Sequence, residues 1–143
     1  MAIATVLLVD DEVPFVETMT KRLSRRDLQI VTAFGGKEGL EQLEKNQHIE
    51  VVILDVKMPG MDGIETLKEI KRKHPLVEVV MLTGHATVES AIEGMKLGAY
   101  DYLMKPCDME TLMAKVGEAA AKKRSHENKI IEARMKEITS RRV

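Results

Sequence analysis

Val51-Val52-Ile53-Leu54-Asp55 is the stretch of sequence that decides the fold. Four consecutive apolar residues, without the alternation of a half-buried strand, predict a β-strand that is buried on both faces. This strand ends directly in a carboxylate. Because chemistry in open α/β sheets takes place just beyond the carboxyl ends of the strands, Asp55 is either a turn-forming residue or a functional one.

Apolar strands and amphipathic helices alternate along the chain on both sides of this stretch. Four further strands are predicted at 5–9, 29–33, 77–82 and 100–104. Five strand–helix units predict an α/β fold with a doubly wound, five-stranded parallel sheet and helices on both faces, in three layers. The helical spacing is marked by Phe15, Met19 and Leu23, by Leu40 and Leu43, by Ile64, Leu67 and Ile70, by Val88, Ala91, Ile92 and Met95, and by Met109, Leu112, Met113 and Val116.

The composition is that of a globular protein with one core. The chain has 143 residues, of which 44% are hydrophobic and 31% are charged, and these are ordinary values for a single domain. Only 3% of the residues are aromatic, so methionines such as Met58, Met95 and Met104 are expected to fill the core.

The single cysteine, Cys107, fits a reducing compartment. The start does not resemble a signal peptide and no apolar run approaches the ~20 residues of a membrane span, so a cytoplasmic protein without membrane contact is expected.

The C-terminal segment differs from the rest in charge. Residues 122–143 carry eight Lys/Arg against three Glu, whereas residues 1–121 carry 14 Lys/Arg against 20 Asp/Glu. Ile131, Met135 and Ile138 form an apolar stripe that predicts either a continuation of the fifth helix or a sixth short helix. Such a short face is marginal alone, so contact with a second chain or with the acidic body is expected, the alternative being a frayed end. The segment is too short for a helix-turn-helix domain, and no nucleic-acid binding is expected within this chain.

Polar side chains follow the predicted strands at their carboxyl ends. Asp10 and Asp11 follow the first strand, Asp55 the third, Thr83 the fourth and Lys105 the fifth. A parallel sheet brings these ends to one edge, where three carboxylates repel each other unless one is protonated or a cation lies between them. Mg²⁺ binds such oxygen ligands and, with them, phosphate oxygens. The set therefore predicts an aspartate that could attack phosphorus in line.

This set of residues resembles the receiver (response regulator) domain of two-component signalling. The run Gly98–Pro106 is similar to receivers that precede enhancer-binding transcription activators. The resemblance implies a flavodoxin-like (βα)5 fold, with a receiver domain at 1–121 and a basic C-terminal extension at 122–143 that extends the last helix. The motifs that carry it are Asp10-Asp11, Asp55 with Lys57-Met58-Pro59-Gly60-Met61-Asp62-Gly63, Thr83-Gly84 and Lys105-Pro106.

The resemblance implies a role for each residue of the acidic site. Asp55 would be the phosphoacceptor. Asp11 and Asp55 would bind Mg²⁺ directly, together with the backbone carbonyl of Lys57, and Asp10 would act mainly through water; Mn²⁺ is an alternative metal. Lys105 would pair with the new phosphoryl group, and its bond to Pro106 is expected to be cis.

The resemblance also implies a conformational switch. Thr83 would move toward the phosphoryl group and the Tyr102 ring would follow, which would reshape the face made by helix four, strand five and helix five. Lys57 and His85 would flank the approach of water and so influence how long the phosphoryl group survives.

The expected function is that of a phosphoacceptor signalling domain rather than an enzyme. The expected partners are a sensor histidine kinase, a downstream output protein or domain, and a second copy of the chain, bound through the helix four–strand five–helix five face or through the C-terminal helix.

A phosphorylation-independent binding module is the alternative function. An aspartyl phosphatase of the haloacid dehalogenase type would need an acid where Lys57 stands, and a flavodoxin-like cofactor domain would need a phosphate-binding loop where Asp10-Asp11-Glu12 stands.

Overall fold

Five parallel strands form one sheet in the computed structural model, which describes residues 3–141. The strands are β1 (Ala4–Val9), β2 (Leu28–Ala33), β3 (Val51–Leu54), β4 (Glu78–Thr83) and β5 (Asp101–Met104). The helices are α1 (Val13–Ser24), α2 (Gly36–Lys45), α3 (Gly63–Lys73), α4 (Val88–Lys96) and α5 (Met109–Ser140). The order across the sheet is β2-β1-β3-β4-β5. The doubly wound α/β fold predicted from the sequence is confirmed.

Strand β3 is the centre of the sheet, as its unbroken apolar sequence predicts. Val51 pairs with Val6 of β1 on one side and with Glu78 of β4 on the other. All four residues of β3 are at most 1% exposed. Since successive side chains of a strand point to opposite faces, a strand in this position needs apolar residues at every position.

The core has two halves, one on each face of the sheet. Val51 and Ile53 belong to the half that packs under α1 and α5, whereas Val52 and Leu54 belong to the half that packs under α2 and α3. Burial of these aliphatic side chains contributes about 25 cal/mol for each Å² of apolar surface removed from water. The two halves together fix the strands whose ends carry the polar residues.

The apolar stripe of α4 does not face the core. Val88 is 76% exposed and Ile92 51%, and Met95 at 47% and Met104 at 65% are exposed beside them. The expectation that Met95 and Met104 fill the core is therefore wrong. For Met95 the physical reason is Gly94, which is buried and brings its own side of α4 against Tyr102 and Met81 of the sheet. Met104 is the last residue of β5, the strand at the edge of the sheet. We call Val88, Ile92, Met95 and Met104 the α4–β5 surface.

Helix α5 is one continuous helix of 32 residues, so the first of the two forms expected for the C-terminal segment is the one observed. Its first half buries Leu112, Val116, Ala119 and Ala120 against the sheet. Its second half is exposed, and we call Ile131, Met135 and Ile138, each more than half exposed, the α5 stripe. No helix within residues 3–141 is long and apolar enough to cross a membrane.

The division of the chain at 121 and 122 stays a prediction. The continuous helix crosses this point without a break. The predicted ranges also include residues 1, 2, 142 and 143, which lie outside the described residues.

Ion pairs attach the middle of α5 to the amino edge of the sheet. Arg124 donates from Nε to Glu50 Oε2 at 2.7 Å and from Nη2 to Glu50 Oε1 at 2.8 Å. The same guanidinium donates to the carbonyl of Ile3 at 2.6 Å. Lys122 lies 3.2 Å from the buried carboxylate of Glu78, which also pairs with Lys71 at 3.0 Å. A two-point guanidinium–carboxylate pair fixes direction as well as distance, so these contacts set where the second half of α5 points.

We predict that Glu50→Gln loosens α5 around Arg124 without unfolding the sheet. The pair is partly exposed, so its loss should cost about 1 kcal/mol and speed local amide exchange roughly fivefold. Hydrogen–deuterium exchange of residues 120–130 measures this change. Glu69→Gln, which removes an exposed pair with Arg72 inside α3, is the control and should leave α5 unchanged. Equal exchange in the parent and the Glu50 variant would contradict the role given to this pair.

Candidate functional site

Four strand ends bring the predicted site residues to one edge of the sheet. Asp10 follows β1 and Asp55 follows β3, which is its neighbour. Thr83 ends β4, and Lys105 follows β5. Backbone hydrogen bonds continue just past the strands, from Asp55 N to Val9 O at 3.0 Å and from Lys105 N to Thr83 O at 2.9 Å. The ladder therefore fixes the backbone from which the functional side chains project.

The three carboxylates of Asp10, Asp11 and Asp55 form one acidic cluster. Each contributes an oxygen, and these oxygens lie within 4.8 Å of one another. Asp10 is 1% exposed and Asp55 2%, while Asp11 is half-buried. Burial raises the pKa of the Asp10 carboxyl, and the charge of Asp55 raises it further, although hydrogen bonds from Lys105 and from the Glu12 backbone act in the opposite direction.

Backbone N–H groups orient the two buried carboxylates. Glu12 N donates to Asp10 Oδ1 at 2.9 Å, and Val56 N donates to Asp55 Oδ1 at 2.8 Å. Each bond occupies one oxygen of its carboxylate. Since a carboxylate has two oxygens that accept hydrogen bonds or bind metal, the second oxygen of Asp55 is the one available for chemistry.

Lys105 supplies the positive charge of the site. Its Nζ lies 2.7 Å from Asp10 Oδ2 and 3.6 Å from Glu12 Oε1. Burial lowers the pKa of the Lys105 ammonium, but the hydrogen bond to Asp10 and the charges of Asp10, Asp55 and Glu12 outweigh it, and the pKa is raised. The peptide bond to Pro106 is cis, as expected from the resemblance.

Of the two predicted switch residues, Thr83 ends β4 and Tyr102 lies within the neighbouring strand β5, and their use as a switch stays a prediction. The Thr83 side chain is buried, and its hydroxyl accepts a hydrogen bond from His85 N at 3.0 Å. Tyr102 is half-buried, and its hydroxyl lies 2.7 Å from Ser90 Oγ on α4. The Tyr102 ring thus connects β5 to α4, so a movement of either element changes its environment.

An open cleft leads from the solvent to the acidic cluster. Its lining includes Asp11, Lys57 and His85, together with Glu12, Met58 and Pro59. A second cleft continues from Lys57 and His85 toward α4 and reaches Ser90. The exposed side chains of Lys57 and His85 therefore lie beside the opening that leads to Asp11.

The residues of the cluster fit a hard divalent cation. Carboxylate oxygens from three residues converge, and oxygen is the ligand that Mg²⁺ and Mn²⁺ take in proteins. A cation would also relieve the repulsion between acids that are nearly removed from water. Lys57 lies beside Asp11 in the cleft, but the use of its carbonyl as a ligand stays a prediction.

Three contributors to the site were not predicted from the sequence. Phe15 places its ring centroid 3.9 Å from Lys105 Nζ, and Glu12 approaches the same ammonium. Ser90 holds the Tyr102 hydroxyl. Phe15 follows Asp11 by four residues and lies in the first turn of α1, and this closeness in the sequence to the end of β1 is the only signal that could have placed it near the site.

Gly63 lies directly behind Asp55 because the chain approaches itself too closely there for a side chain. Gly63 N donates to Val56 O at 2.7 Å. A Cβ atom at this position would be 2.0 Å from the backbone oxygen of Asp55 and 2.7 Å from Val56 Cα. Any larger residue would have to move the backbone that carries Asp55.

A parallel α/β domain with an acid cluster, a lysine and a threonine at its carboxyl edge has the parts of an aspartate phosphoacceptor. The response regulator receiver domain family matches residues 6–117. The chain therefore belongs to this family, the receiver domains of two-component response regulators, in which phosphorylation of an aspartate is the general mechanism.

Similar proteins include transcription regulators and isolated receivers. The transcriptional regulatory protein ZraR of Escherichia coli K12 is 39% identical over 116 residues, which is 81% of this chain and 26% of ZraR. The DNA-binding transcriptional regulator NtrC of the same strain is 36% identical over 114 residues, or 80% of this chain and 24% of NtrC. The chain thus spans about a quarter of the length of these relatives.

Solved structures agree with this assignment. A receiver domain protein from Clostridium thermocellum superposes with a TM-score of 0.81 at 36% identity, over 85% of this chain and 97% of that chain. NtrX from Brucella abortus, solved with ADP, gives a TM-score of 0.81 at 32% identity, over 90% of this chain and 29% of NtrX.

We predict that Gly63→Ala lowers the free energy of unfolding by about 3 kcal/mol, because the new methyl group forces backbone atoms apart. Urea denaturation measures the change. Gly117→Ala is the matched control: this glycine lies within α5 with nothing within 4 Å of the added Cβ, so the substitution should raise the free energy of unfolding by about 0.5–1 kcal/mol. Parent-like stability of Gly63→Ala would contradict the close approach.

Proposed function

We propose that Asp55 accepts a phosphoryl group from the phosphohistidine of a sensor histidine kinase, and that the chain then controls an output protein or domain. The single observation that supports this assignment most strongly is the meeting of three carboxylates and the Lys105 ammonium at one sheet edge. Asp55 is the member whose strand is central and whose second oxygen is not used by the backbone.

The proposed transfer is an in-line displacement at phosphorus. A carboxylate oxygen of Asp55 forms a bond to phosphorus while the bond from phosphorus to the histidine nitrogen breaks, and the electron pair of that bond leaves with the imidazole. With acetyl phosphate the bond that breaks is phosphorus–oxygen, and acetate leaves. Lys105 then neutralises part of the charge on the acyl phosphate, and Thr83 offers it a hydrogen bond. The chain acts only on its own phosphoryl group, as a phosphoacceptor rather than an enzyme with an external substrate.

Asp10, Asp11, Asp55 and the backbone carbonyl of Lys57 are the proposed holders of Mg²⁺, which Mn²⁺ could replace. The fit rests on the hard oxygen donors and on their convergence. When bound, the cation neutralises the charge of the acids and of the phosphoryl group. Asp10 also bonds Lys105 directly, so its share in holding the metal is expected to pass through water.

Thr83 and Tyr102 are the proposed switch. A bond from the Thr83 hydroxyl to the phosphoryl group would replace its present bond from His85 N, and the space left would admit the Tyr102 ring. Tyr102 would then exchange its partner Ser90 on α4. This movement changes the α4–β5 surface, which is already apolar and exposed, and the neighbouring start of α5.

We further propose that the receiver part spans 1–121, that 122–143 is its basic C-terminal helical extension, and that the chain works in the cytoplasm. A second copy of the chain is a proposed partner. The α4–β5 surface and the α5 stripe are the two candidate contacts, because both expose large apolar side chains.

Asp55→Asn is expected to abolish phosphorylation while the fold is kept, because an amide oxygen is a far weaker nucleophile than a carboxylate. The protein is incubated with Mg²⁺ and acetyl phosphate, and the mass increase of one phosphoryl group is followed; EDTA should suppress it in the parent. Asp101→Asn, outside the cluster and paired with Lys115, is the control and should label like the parent. Full labelling of the Asp55 variant, or none of the parent, would reject the proposal and leave the binding-module alternative.

Sedimentation equilibrium tests the proposed switch and dimer together. Beryllofluoride with Mg²⁺ is expected to strengthen self-association at least severalfold, and Thr83→Ala should remove this response. Ile92→Glu should block association if the α4–β5 surface is the contact, and Met135→Glu should block it if the α5 stripe is, since burying a charge in either contact is costly. Unchanged association with beryllofluoride would contradict a switch that acts through dimerisation.

A further inference from the structure

The Phe15 ring lies against the ammonium of Lys105, and no role has yet been assigned to this contact. The ring centroid is 3.9 Å from Nζ, well inside the ~6 Å at which a cation is attracted to an aromatic face. The Lys105 side chain is only 15% exposed. An ammonium removed from water gains more from such a face than an exposed one does.

The position of the Phe15 ring is fixed by the fold. Phe15 lies in the first turn of α1, which starts at Val13 and has Pro14 in that turn. The ring is half-buried and packs on the same half of the core as Val16 and Met19. With two rotatable side-chain bonds and a packed helix behind it, the ring loses little further freedom when the ammonium binds to it.

Lys105 has two other partners: one holds it by a directional hydrogen bond, and the other is exposed to water. Asp10 accepts a hydrogen bond from Nζ at 2.7 Å. Glu12 is 3.6 Å away with a side chain that is 58% exposed, so water screens its attraction. In the proposed function, Lys105 must pass from Asp10 to a phosphoryl oxygen on Asp55, and during that passage neither carboxylate holds it well.

We propose that Phe15 is a positioning residue for Lys105, which keeps the ammonium at the acidic edge while its anionic partner changes from Asp10 to the phosphoryl group. An aromatic face attracts the charge without a fixed hydrogen-bond direction, so the three N–H groups of Lys105 can turn toward new acceptors. The ring also covers the ammonium from water. This inference rests on the proposed function of Asp55.

The test compares Phe15→Leu, which keeps an apolar side chain without a ring, with Phe15→Tyr, which keeps the ring. Phe34→Leu is the matched control, since Phe34 is the other phenylalanine of the chain and is 42% exposed. Initial rates of phosphoryl uptake from acetyl phosphate with Mg²⁺ should fall roughly threefold to thirtyfold in Phe15→Leu, as loss of a cation–aromatic contact implies. Phe15→Tyr and Phe34→Leu should stay within about twofold of the parent.

A double-mutant cycle separates positioning from a structural effect. Lys105→Met keeps the apolar stem and removes the charge. In that background Phe15→Leu should change the slow residual uptake by less than about twofold. An equal loss with and without Lys105 would overturn the proposal, because the ring would then act on the fold and not through the ammonium.

Nuclear magnetic resonance gives a readout that does not depend on phosphorylation. The ε-CH₂ protons of Lys105 should be shifted upfield by the ring in the parent and in Phe15→Tyr, and this shift should disappear in Phe15→Leu. An unshifted parent signal would overturn the proposal. If the parent takes up no phosphoryl group while the shift is present, the function proposed for Asp55 fails and the contact between Phe15 and Lys105 stands.

Discussion

Repulsion between buried carboxylates is the constraint on which the rest of the structure depends. Asp10 and Asp55 are almost completely removed from water and have Asp11 beside them. Taking a charge out of water costs several kcal/mol even after relaxation. The Lys105 ammonium and two backbone N–H groups offset part of this cost. Packing of the two core halves must offset the rest of this free-energy cost. It holds the strand ends together although their side chains repel each other.

The same constraint explains why the fold and much of the site could be predicted from the sequence. A strand that is central in a parallel sheet must be apolar at every position, and all four residues of Val51–Leu54 are apolar. Acids that follow such strands can only meet at one edge, so Asp10, Asp11 and Asp55 were placed correctly beside each other without any distance being known. Right-handed crossovers leave few topologies for such a sheet, and the observed order β2-β1-β3-β4-β5 is one of them.

What could not be predicted depends on contacts between elements, not on spacing within one. The helical stripe of α4 is genuine, but Gly94 brings the opposite side of that helix to the sheet, and the stripe faces solvent. The contact between Phe15 and Lys105 joins residues far apart in the chain. The ion pair between Arg124 and Glu50 likewise depends on where α5 passes the sheet. The spacing of apolar residues along the helix does not predict that position.

The attachment of α5 has a geometric consequence for whatever covers its exposed apolar residues. An α-helix turns about 100° per residue, so Arg124 and Ile131, separated by about two full turns, project from nearly the same side of α5. The Arg124 side chain points at the amino edge of the sheet, toward Glu50. The α5 stripe therefore projects from the same side of the helix as Arg124. It faces the space beyond the amino edge of the sheet. Any molecule that covers the stripe must lie under the receiver, at the end of the molecule opposite the acidic cluster.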